Sequence, residues 1–259
     1  MLSLRNLTVG YSPSHPLLCY VSARLPQGTL TVLLGANGSG KSTLLRTLAG
    51  VLPPLAGDVY IAGEGLRGMR PAQLSKLVSL VYNERADRAG ALTVEQTVAL
   101  GRQPYTGFFG NMSSRDKQIV MDSINALGIS RLTNRYLATL SDGERQKTMI
   151  ARALAQQTPV MLLDEPTAFL DVAARLDTMA LLHSLAHEKG LTVVLSTHDV
   201  APAITAPADR LWLLPENRGF VQGSVSELVD NGELDSLFAM RGVRFDATAN
   251  DFRMNLQNR

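Results

Sequence analysis

The apolar residues of this chain follow the strand period in some stretches and the helix period in others. Strands are expected where apolar side chains alternate or form short runs, because a strand turns successive side chains to opposite faces. Such stretches occur at residues 2–9, 17–25, 30–34, 59–62, 160–163, 192–196, 211–214, 220–221, 243–245 and 252–254. The first third of the chain therefore predicts a partly antiparallel sheet that flanks the strand at 30–34.

Helices are expected where apolar residues recur three to four positions apart or where capping residues occur. The predicted helices cover residues 43–49, 93–101, 114–128, 141–158, 172–189 and 226–230, with one more after Asp199. Thr93 and Ser141 are each followed three residues later by Gln or Glu, which is the spacing of a capping box. Gly50 and Gly190 follow two of these segments, as is typical at helix C-termini. The middle of the chain is therefore predicted to be mainly helical.

A glycine-rich segment between a predicted strand and a predicted helix carries the clearest chemical signal. It reads G-x-x-x-x-G-K-S, the phosphate-binding P-loop, and consists of Gly35, Ala36, Asn37, Gly38, Ser39, Gly40, Lys41 and Ser42, followed by Thr43. Glycines let the backbone wrap around an anion with its N–H groups pointing inward, and the helix N-terminus adds positive charge. Lys41 would contact the β- and γ-phosphates, and the Ser42 hydroxyl would ligate Mg²⁺. The alternative is a glycine-rich turn without a ligand.

Two other predicted strands end in side chains suited to nucleotide hydrolysis. Asp164 and Glu165 follow the apolar strand at 160–163, and His198 follows the strand at 192–196. Asp164 is expected to hold Mg²⁺ through water, and Glu165 to orient a water molecule against the γ-phosphate. His198 is expected to contact the same phosphate, because ligands collect at this edge of a sheet. The alternatives are an acidic surface loop and a hydrogen-bonded structural histidine.

Composition narrows the classes of function. The 259 residues are 45% hydrophobic, which is ample for a buried core, and a formal net charge of +2 gives no argument for nucleic acid as a partner. Cys19 is the single cysteine, so an intrachain disulfide or a cysteine-based metal site is impossible. No apolar run reaches the length of a membrane span and the N-terminus lacks a signal-peptide pattern. The chain is therefore expected to be soluble and to serve a membrane only through a partner.

Taken together, these segments resemble the ATP-binding-cassette (ABC) ATPases over nearly the whole chain. The most specific segment is Leu-Ser-Asp-Gly-Glu at 140–144, a signature that other P-loop families do not carry. The resemblance implies an α/β fold, a P-loop NTPase that has a RecA-like core, an antiparallel β subdomain and a helical subdomain inserted at about 85–158. The ATPase domain would cover 1–223, and 224–259 would be a C-terminal extension with a short helix and a β-hairpin.

The resemblance also implies a head-to-tail dimer that encloses two ATP molecules. Each ATP would lie between the P-loop of one copy and the helix N-terminus at Ser141, Gly143 and Glu144 of the other. The other roles that the resemblance implies are adenine stacking for Tyr11, general-base catalysis for Glu165, a switch function for His198 and communication across the dimer for Asp171. Without the resemblance, a lone loop tyrosine such as Tyr11 is usually an exposed residue with no specific function.

The sequence departs from the family pattern at two positions. Asp142 stands where the signature usually has a glycine, and its side chain is expected to point away from the phosphate. The segment at 78–84 lacks the glutamine that normally reaches metal and water. Asn83 is the candidate for that metal contact, and Glu84 is its rival. Both departures bear on the coupling of ATP hydrolysis to a partner.

Residues 98–105 resemble the branch of the family that energises import of iron–siderophore complexes, haem or cobalamin. This resemblance implies a peripheral ATPase on the cytoplasmic side of the plasma (inner) membrane, working with an integral membrane permease and a substrate-binding protein. Residues 83–110 are expected to dock onto the permease, and 101–110 to form a loop whose aromatic side chains, Tyr105, Phe108 and Phe109, act as anchors. The alternative is that these rings pack within the helical subdomain.

Two other functions stay open from the sequence. One is a soluble ABC ATPase that serves iron–sulphur assembly, DNA repair or ribosomes, and the other is a regulatory nucleotide binder that does not hydrolyse ATP. The importer-like segment argues against the first, and the intact Lys41, Asp164 and Glu165 argue against the second.

His183 and His187 lie four positions apart on a predicted helix, a spacing that metal sites use. Without a third ligand nearby, we interpret them as surface residues.

Overall fold

The computed structural model describes residues 1–82, 91–107, 110–199, 208–215, 219–237, 243–246 and 251–254. Its strands are β1 (Leu2–Val9), β2 (Leu18–Leu25), β3 (Leu30–Gly35), β4 (Ala56–Ile61), β5 (Glu64–Gly65), β6 (Val78–Val81), β7 (Val160–Asp164), β8 (Thr192–Thr197), β9 (Arg210–Leu214), β10 (Val221–Gly223), β11 (Val243–Asp246) and β12 (Asp251–Met254). Its helices are α1 (Lys41–Leu48), α2 (Pro71–Leu74), α3 (Val94–Ala99), α4 (Ser114–Ala126), α5 (Asp142–Ala155), α6 (Val172–Lys189) and α7 (Val225–Asp230). Short 3₁₀ helices occupy Leu100–Tyr105, Ser130–Leu132, Leu137–Thr139 and Glu233–Leu237.

A six-stranded sheet in the order β10-β9-β3-β8-β7-β6 forms the centre of the molecule. Its strands β9, β3, β8, β7 and β6 run parallel, and β10 pairs antiparallel with β9 at one edge. Apolar side chains of β3 pack into separate cores on the two faces of the sheet, with Val32 and Leu34 on one side and Leu33 on the other. A strand that is covered on both faces must be apolar at successive positions, which explains the continuous run at 30–34.

A second, antiparallel sheet has the order β2-β1-β4-β5 and confirms the sheet predicted for the first third of the chain. The apolar side chains that alternate along β1, Leu2, Leu4, Leu7 and Val9, are all buried. They share one core with α1 and with one face of the central sheet, where Trp212 is fully buried. The antiparallel sheet therefore covers the helix that follows the P-loop.

Helices α3, α4 and α5 pack against one another in the middle of the chain. The predicted buried side of α4 is confirmed at Val120 and Ile124, which are at most 1% exposed. The capping box at Thr93 is also confirmed, because its hydroxyl accepts a hydrogen bond from the Gln96 N–H at 3.3 Å. These helices pack against the face of the central sheet opposite to α1.

Several local expectations are confirmed and two are wrong. Helix α6 begins and ends where the pattern predicts and stops at Gly190, which adopts the left-handed conformation that favours glycine. The terminal hairpin is confirmed as β11 paired with β12.

The loop expected at 101–110 is wrong at its start, since Leu100–Tyr105 continue α3 as a 3₁₀ helix that tolerates Pro104. Strand β6 was not predicted, because four residues at a sheet edge show too little periodicity. The helix expected after Asp199 lies outside the described residues.

The segment after residue 223 is attached to the main core. Leu228 of α7 and Leu234 and Leu237 of the following 3₁₀ helix are buried with Leu211 and Leu213 of β9. Burial of three leucines contributes several kilocalories per mole of apolar stabilisation, at about 2 kcal/mol each. The start of this segment is therefore part of the same folded body as the central sheet.

Candidate functional site

The P-loop connects the end of β3 with the start of α1 at the centre of the sheet. Gly38 and Gly40 have φ angles of 85° and 98°, which other L-residues adopt only with strain. A Cβ at Gly35 would lie 2.5 Å from Ser39 Oγ. The backbone path of the loop therefore favours glycine at 38 and 40, and Gly35 leaves room for the Ser39 side chain. Ser39 Oγ is buried and has no hydrogen-bond partner within the described residues, which suits a loop that closes around a ligand with acceptor oxygens.

Lys41 begins α1 and is only 5% exposed. Its ammonium group donates hydrogen bonds to the carbonyl oxygens of Gly35 at 2.8 Å and Ala36 at 3.1 Å. Burial lowers the pKa of Lys41, while the nearby carboxylates of Glu165 and Asp164 act to raise it. The lysine is therefore a buried cation held between the loop backbone and two acidic residues.

The register of the parallel strands brings three strand ends together. Leu34 of β3 pairs with Thr197 of β8, and Asp164 of β7 pairs with Ser196 of β8. The P-loop, the acidic pair and His198 therefore all leave the sheet at its carboxyl edge, where ligands bind in open α/β sheets. This arrangement could not be derived from local periodicity, because it depends on strand order.

Glu165 links the lysine and the histidine. Its Oε1 lies 3.7 Å from Lys41 Nζ and 3.2 Å from His198 Nδ1. Its backbone has φ of 50°, a left-handed conformation that costs about 1–2 kcal/mol for a residue with a Cβ. Strain of this kind is concentrated at functional sites, where the surrounding structure holds a side chain in place.

Ser196 is a residue of the site that sequence reasoning missed. Its hydroxyl donates to Asp164 Oδ1 at 2.7 Å and accepts from the Glu165 backbone N–H at 3.0 Å. Ser196 is fully buried, so both acidic residues are held by one hydroxyl inside the sheet. The available signal was a serine at the end of a strand that is otherwise apolar from Val193 to Leu195.

An ion pair ties the segment after His198 to the start of α6. The Arg175 guanidinium binds the Asp199 carboxylate, and Arg175 Nε donates to the Leu170 carbonyl oxygen at 2.9 Å. Asp171 caps α6 by accepting a hydrogen bond from the Ala174 N–H at 2.8 Å. The loop that carries Asp171 is thereby anchored to the strand end that carries the histidine.

A cavity of about 620 Å³ opens beside the P-loop. It is lined on one side by Leu17, Leu18 and Cys19 and on another by the loop residues 36–39. Tyr11 is 67% exposed and is not among its lining residues. The volume suits a nucleotide base and sugar, since small-molecule sites span about 300–1,000 Å³.

The residues at 140–144 open helix α5. The Ser141 hydroxyl accepts from the Glu144 N–H at 3.3 Å, and the Glu144 carboxylate accepts from the Ser141 N–H at 3.1 Å. The hydrogen bond from the Ser141 backbone lowers the pKa of Glu144. Asp142, where the family usually has glycine, pairs with Arg145 at 2.9 Å. That pairing draws its carboxylate toward the side of the helix and offsets its charge.

An exposed apolar group surrounds the Asp171 cap. Phe169, Val172 and Leu176 are 69%, 72% and 46% exposed, respectively. Phe169 also has a left-handed backbone, with φ of 66°. These three exposed apolar side chains lie within eight residues of one another in the sequence, at the start of α6.

Some predicted residues lie outside the described part of the chain. Asn83, Glu84, Phe108 and Phe109 belong to this group, so their predicted roles stay predictions. Tyr105 is described and is 37% exposed, but its hydroxyl donates to the Gln156 carbonyl oxygen at 3.0 Å. Its ring packs against the Arg102 guanidinium at 4.0 Å. Tyr105 therefore contacts the helical region through its hydroxyl and its ring and keeps part of its side chain exposed.

The donor set near Lys41 fits a hard divalent cation. Ser42 lies in the first turn of α1, and the Asp164 carboxylate keeps one oxygen beyond the one that Ser196 binds. Hydroxyl and carboxylate oxygens are the ligands that Mg²⁺ takes beside phosphate groups. These residues would hold Mg²⁺, which when bound neutralises charge on the β- and γ-phosphates.

Comparison with known proteins places this arrangement in a family. Residues 18–168 match the family described as ABC transporter. The ferric enterobactin transport ATP-binding protein of Escherichia coli strain K12 is 35% identical over 241 residues, which are 93% of this chain and 88% of that protein. The achromobactin transport ATP-binding protein of Dickeya dadantii strain 3937 is 35% identical over 237 residues, 92% of this chain and 87% of that protein.

A solved structure supports the same assignment. The structure is an inward-facing conformation of an ABC transporter provisionally classed as the metal-chelate type, and it matches with a TM-score of 0.80. The two chains are 30% identical, and the match covers 92% of this chain and 88% of that one. Within the described residues, no helix combines the length and apolar character needed to cross a bilayer. The chain belongs to the ABC transporter family as one of its ATP-binding, ATP-hydrolysing subunits.

Proposed function

We propose that this chain powers the uptake of an iron chelate of the siderophore class through a membrane permease. The observation that carries the ATPase half of the proposal is the contact of Glu165 with both Lys41 and His198 at the carboxyl edge of the sheet. The substrate class is supported by the relatives named for ferric enterobactin and achromobactin transport. Haem and cobalamin are the alternative cargoes.

In this proposal the P-loop holds the phosphates of ATP. The backbone N–H groups of residues 35–43 and the N-terminus of α1 face the anion, and Lys41 neutralises the β- and γ-phosphates. The ammonium group would exchange its two carbonyl contacts for phosphate oxygens, which are stronger acceptors. Tyr11, on the exposed loop after β1, is the proposed stacking partner of the adenine, although it does not line the cavity beside the P-loop.

Glu165 acts as the general base in the same proposal. Its carboxylate takes a proton from the attacking water while the Lys41 cation stabilises the negative charge at the phosphate. His198 holds the Glu165 side chain and contacts the γ-phosphate. Ser42 and Asp164 are the Mg²⁺ ligands in this scheme, with Asn83 as a further candidate.

We also propose that the site is completed by a second copy of the chain. The start of α5, at Ser141, Gly143 and Glu144, would approach the γ-phosphate bound to the other copy, because helix N-termini attract anions. Among the described residues outside its own helix turn, a Cβ at Gly143 would meet nothing nearer than 3.9 Å, so its small size leaves room for an external group. The exposed apolar side chains around Asp171 would be covered in such a dimer.

The membrane partner is proposed from the family and from the helical region. Residues 83–110 would form the docking surface, and Leu100 and Gln103 of this range line a groove of about 590 Å³ together with Arg152 of α5. We place the chain at the cytoplasmic face of the plasma (inner) membrane, with a substrate-binding protein in the same system. A cassette ATPase without a membrane partner is the second candidate, although the transport relatives favour the importer.

The domain limits belong to the proposal as well. We assign residues 1–223 to the ATPase domain, with a helical subdomain at about 85–158, and 224–259 to a C-terminal extension. The mutual packing of α3, α4 and α5 supports the helical subdomain. Burial of Leu228 and Leu237 in the main core indicates that the extension begins as an integral part of the fold.

The proposal is tested by changing Glu165 to Gln. We expect ATP turnover of the purified chain to fall by at least about 100-fold, because the amide cannot accept the proton, while ATP binding persists. Cells that express the variant with its permease and binding protein should also fail to take up a radiolabelled ferric siderophore. Glu64→Gln, the same chemical change on the exposed strand β5, is the matched control and should retain both activities.

Two results would contradict separate parts of the proposal. Unchanged turnover in Glu165→Gln would remove this residue as the base. Loss of turnover with normal siderophore uptake would show that the chain is an ATPase that does not power this uptake. Co-purification with ribosomes or DNA would then favour the second candidate, the cassette ATPase without a membrane partner.

A further inference from the structure

Three potential metal ligands converge at the end of α6 that is remote from Asp171. The nitrogen atoms of His183 and His187 and a carboxylate oxygen of Asp209 all lie within 4.8 Å of one another. In the sequence, the two histidines have a spacing that metal sites use, but no third ligand lies near them. The structure supplies that ligand from the segment before β9, 22 residues further along the chain than His187.

The hydrogen bonds of His187 determine which of its nitrogens faces the cluster. Nδ1 lies 2.9 Å from the carbonyl oxygen of His183, and a carbonyl oxygen only accepts, so Nδ1 carries the proton. Nε2 then lies 3.2 Å from Asp209 Oδ1. With a neutral imidazole, two acceptors would face each other at this distance. Either a second proton on the ring or a cation between the two atoms resolves this conflict.

Asp209 is held ready for such a cation. Its Oδ2 accepts a hydrogen bond from the backbone N–H of Leu30 at 2.7 Å, which leaves Oδ1 directed at the histidine. Orientation of a ligand by a further hydrogen bond is a common feature of metal sites. His183 and Asp209 are half-buried and His187 is exposed, so an ion can reach the cluster from solvent.

The distances suit tetrahedral coordination. Two ligands bonded at about 2.0–2.1 Å to a tetrahedral zinc ion are separated by about 3.3 Å. The separation of 3.2 Å between His187 Nε2 and Asp209 Oδ1 is close to that value. The rings of His183 and His187 have centroids 4.0 Å apart, so a modest rotation of His183 would bring its nitrogen into the same shell.

We propose that His183, His187 and Asp209 form a binding site for a divalent transition-metal ion of the zinc type, with water as the fourth ligand. Two imidazoles and one carboxylate favour Zn²⁺, Ni²⁺ or Cu²⁺ over Mg²⁺, which prefers oxygen ligands only. His183 and His187 lie in the C-terminal half of α6, about 18 and 24 Å along the helix from its cap at Asp171. The bound ion links the C-terminal half of α6 to the segment before β9, which Asp209 in turn connects to β3 through the Leu30 N–H.

Calorimetric titration of the full chain with Zn²⁺ tests this site. We expect wild type to bind one more equivalent of Zn²⁺ than His183→Gln or His187→Gln, because each substitution removes one of the three protein ligands. His15→Gln removes an exposed histidine elsewhere and is the matched control, which should bind as wild type does. Thermal unfolding should show the same pattern, with Tm raised by Zn²⁺ in wild type and in the control but less in the two variants.

The readout is independent of ATP hydrolysis. Both variants lie outside the proposed nucleotide site, so their ATP turnover reports that they are folded. Zn²⁺ binding that is equal in wild type and in both folded variants, or a loss that is as large in His15→Gln, would overturn the proposal. Absence of the additional equivalent in wild type would overturn it as well.

Discussion

At the scale of single residues, one buried hydroxyl organises the acidic part of the nucleotide site. Ser196 binds the Asp164 carboxylate and the Glu165 N–H, and these two residues would hold the metal and the attacking water. Glu165 has a left-handed backbone that the chain would not adopt by preference. The hydrogen bond at its N–H offsets part of that cost and positions the carboxylate toward Lys41 and His198.

We predict that Ser196→Ala lowers kcat for ATP hydrolysis by about 10- to 100-fold with a smaller change in KM, because small misplacements of a catalytic group are costly. The Glu165 N–H would also lose its partner, which destabilises the fold by about 1–3 kcal/mol. Ser79→Ala is the matched control, since Ser79 is 1% exposed on β6 at the sheet edge and donates to the Val160 carbonyl oxygen. Steady-state kinetics and urea unfolding check both variants. Equal losses of kcat in the two would argue that Ser196 is merely structural.

At the scale of elements, a single arginine joins the helices of the middle region. Arg102 is 4% exposed and donates to Asp116 Oδ1 at 2.9 Å and to the Ala155 carbonyl oxygen at 2.8 Å. It thereby connects the 3₁₀ helix after α3 with α4 and with the end of α5. Hydrogen bonds from the Ser113 hydroxyl and backbone, together with Arg102, lower the pKa of Asp116. The ion pair sets how these elements pack at the proposed docking region.

We predict that Asp116→Asn destabilises the chain by about 2–3 kcal/mol at neutral pH, since it weakens charged hydrogen bonds in a buried setting. The pKa of Asp116 is lower in the folded chain than in the unfolded chain, where carboxyls titrate near 3.9. The ionised form therefore adds stability above that value and loses it as pH falls through the folded pKa. The gap between wild type and variant should narrow below about pH 4.

Urea unfolding at pH 7 and below pH 4 measures this gap. Asp122→Asn, on the exposed side of the same helix, changes the same charge with little expected effect. A gap that stays constant across the pH range would contradict the role assigned to the ionised Asp116.

At the scale of the whole molecule, the two features proposed to contact a second copy of the chain are both presented on the surface. Residues 169–176, which include the first turn of α6, expose three apolar side chains next to the Asp171 cap, and the start of α5 presents a helix N-terminus. Neither feature is needed by the core of a single chain. Both are expected if two copies close over ATP, because apolar contacts and phosphate contacts would then form together.

We predict that Phe169→Asn combined with Val172→Ser weakens dimerisation of the Glu165→Gln chain in saturating ATP by at least about tenfold, through lost apolar burial. Asn is suited to position 169 because it tolerates the left-handed backbone that Phe169 adopts. Light scattering across a concentration series measures the dimer. Val51→Ser, which removes a side chain that is 63% exposed after α1, is the control and should dimerise normally. A variant that dimerises as well as the control would place the interface elsewhere.

Local pattern was sufficient for most of the elements and for much of the site. The P-loop, the acidic pair after β7 and the limits of α6 each depend on residues that are close in sequence, and capping boxes such as those at Thr93 and Ser141 satisfy their own N–H groups. Strand β6 escaped prediction because its stability comes from pairing with β7, 82 residues away at Val78 and Val160. The 3₁₀ helix after α3 depends in the same way on the contacts of Arg102.

The sequence by itself determined that this chain has a nucleotide-binding loop, the acidic and histidine side chains for hydrolysis, and the signature of an ABC ATPase, because these signals lie within short stretches. Only the tertiary structure decided that Ser196 bridges Asp164 and Glu165 and that Asp209 joins His183 and His187. Such contacts depend on strand order and on where a distant segment packs. Long-range packing follows from burial of the whole core, which no local pattern contains.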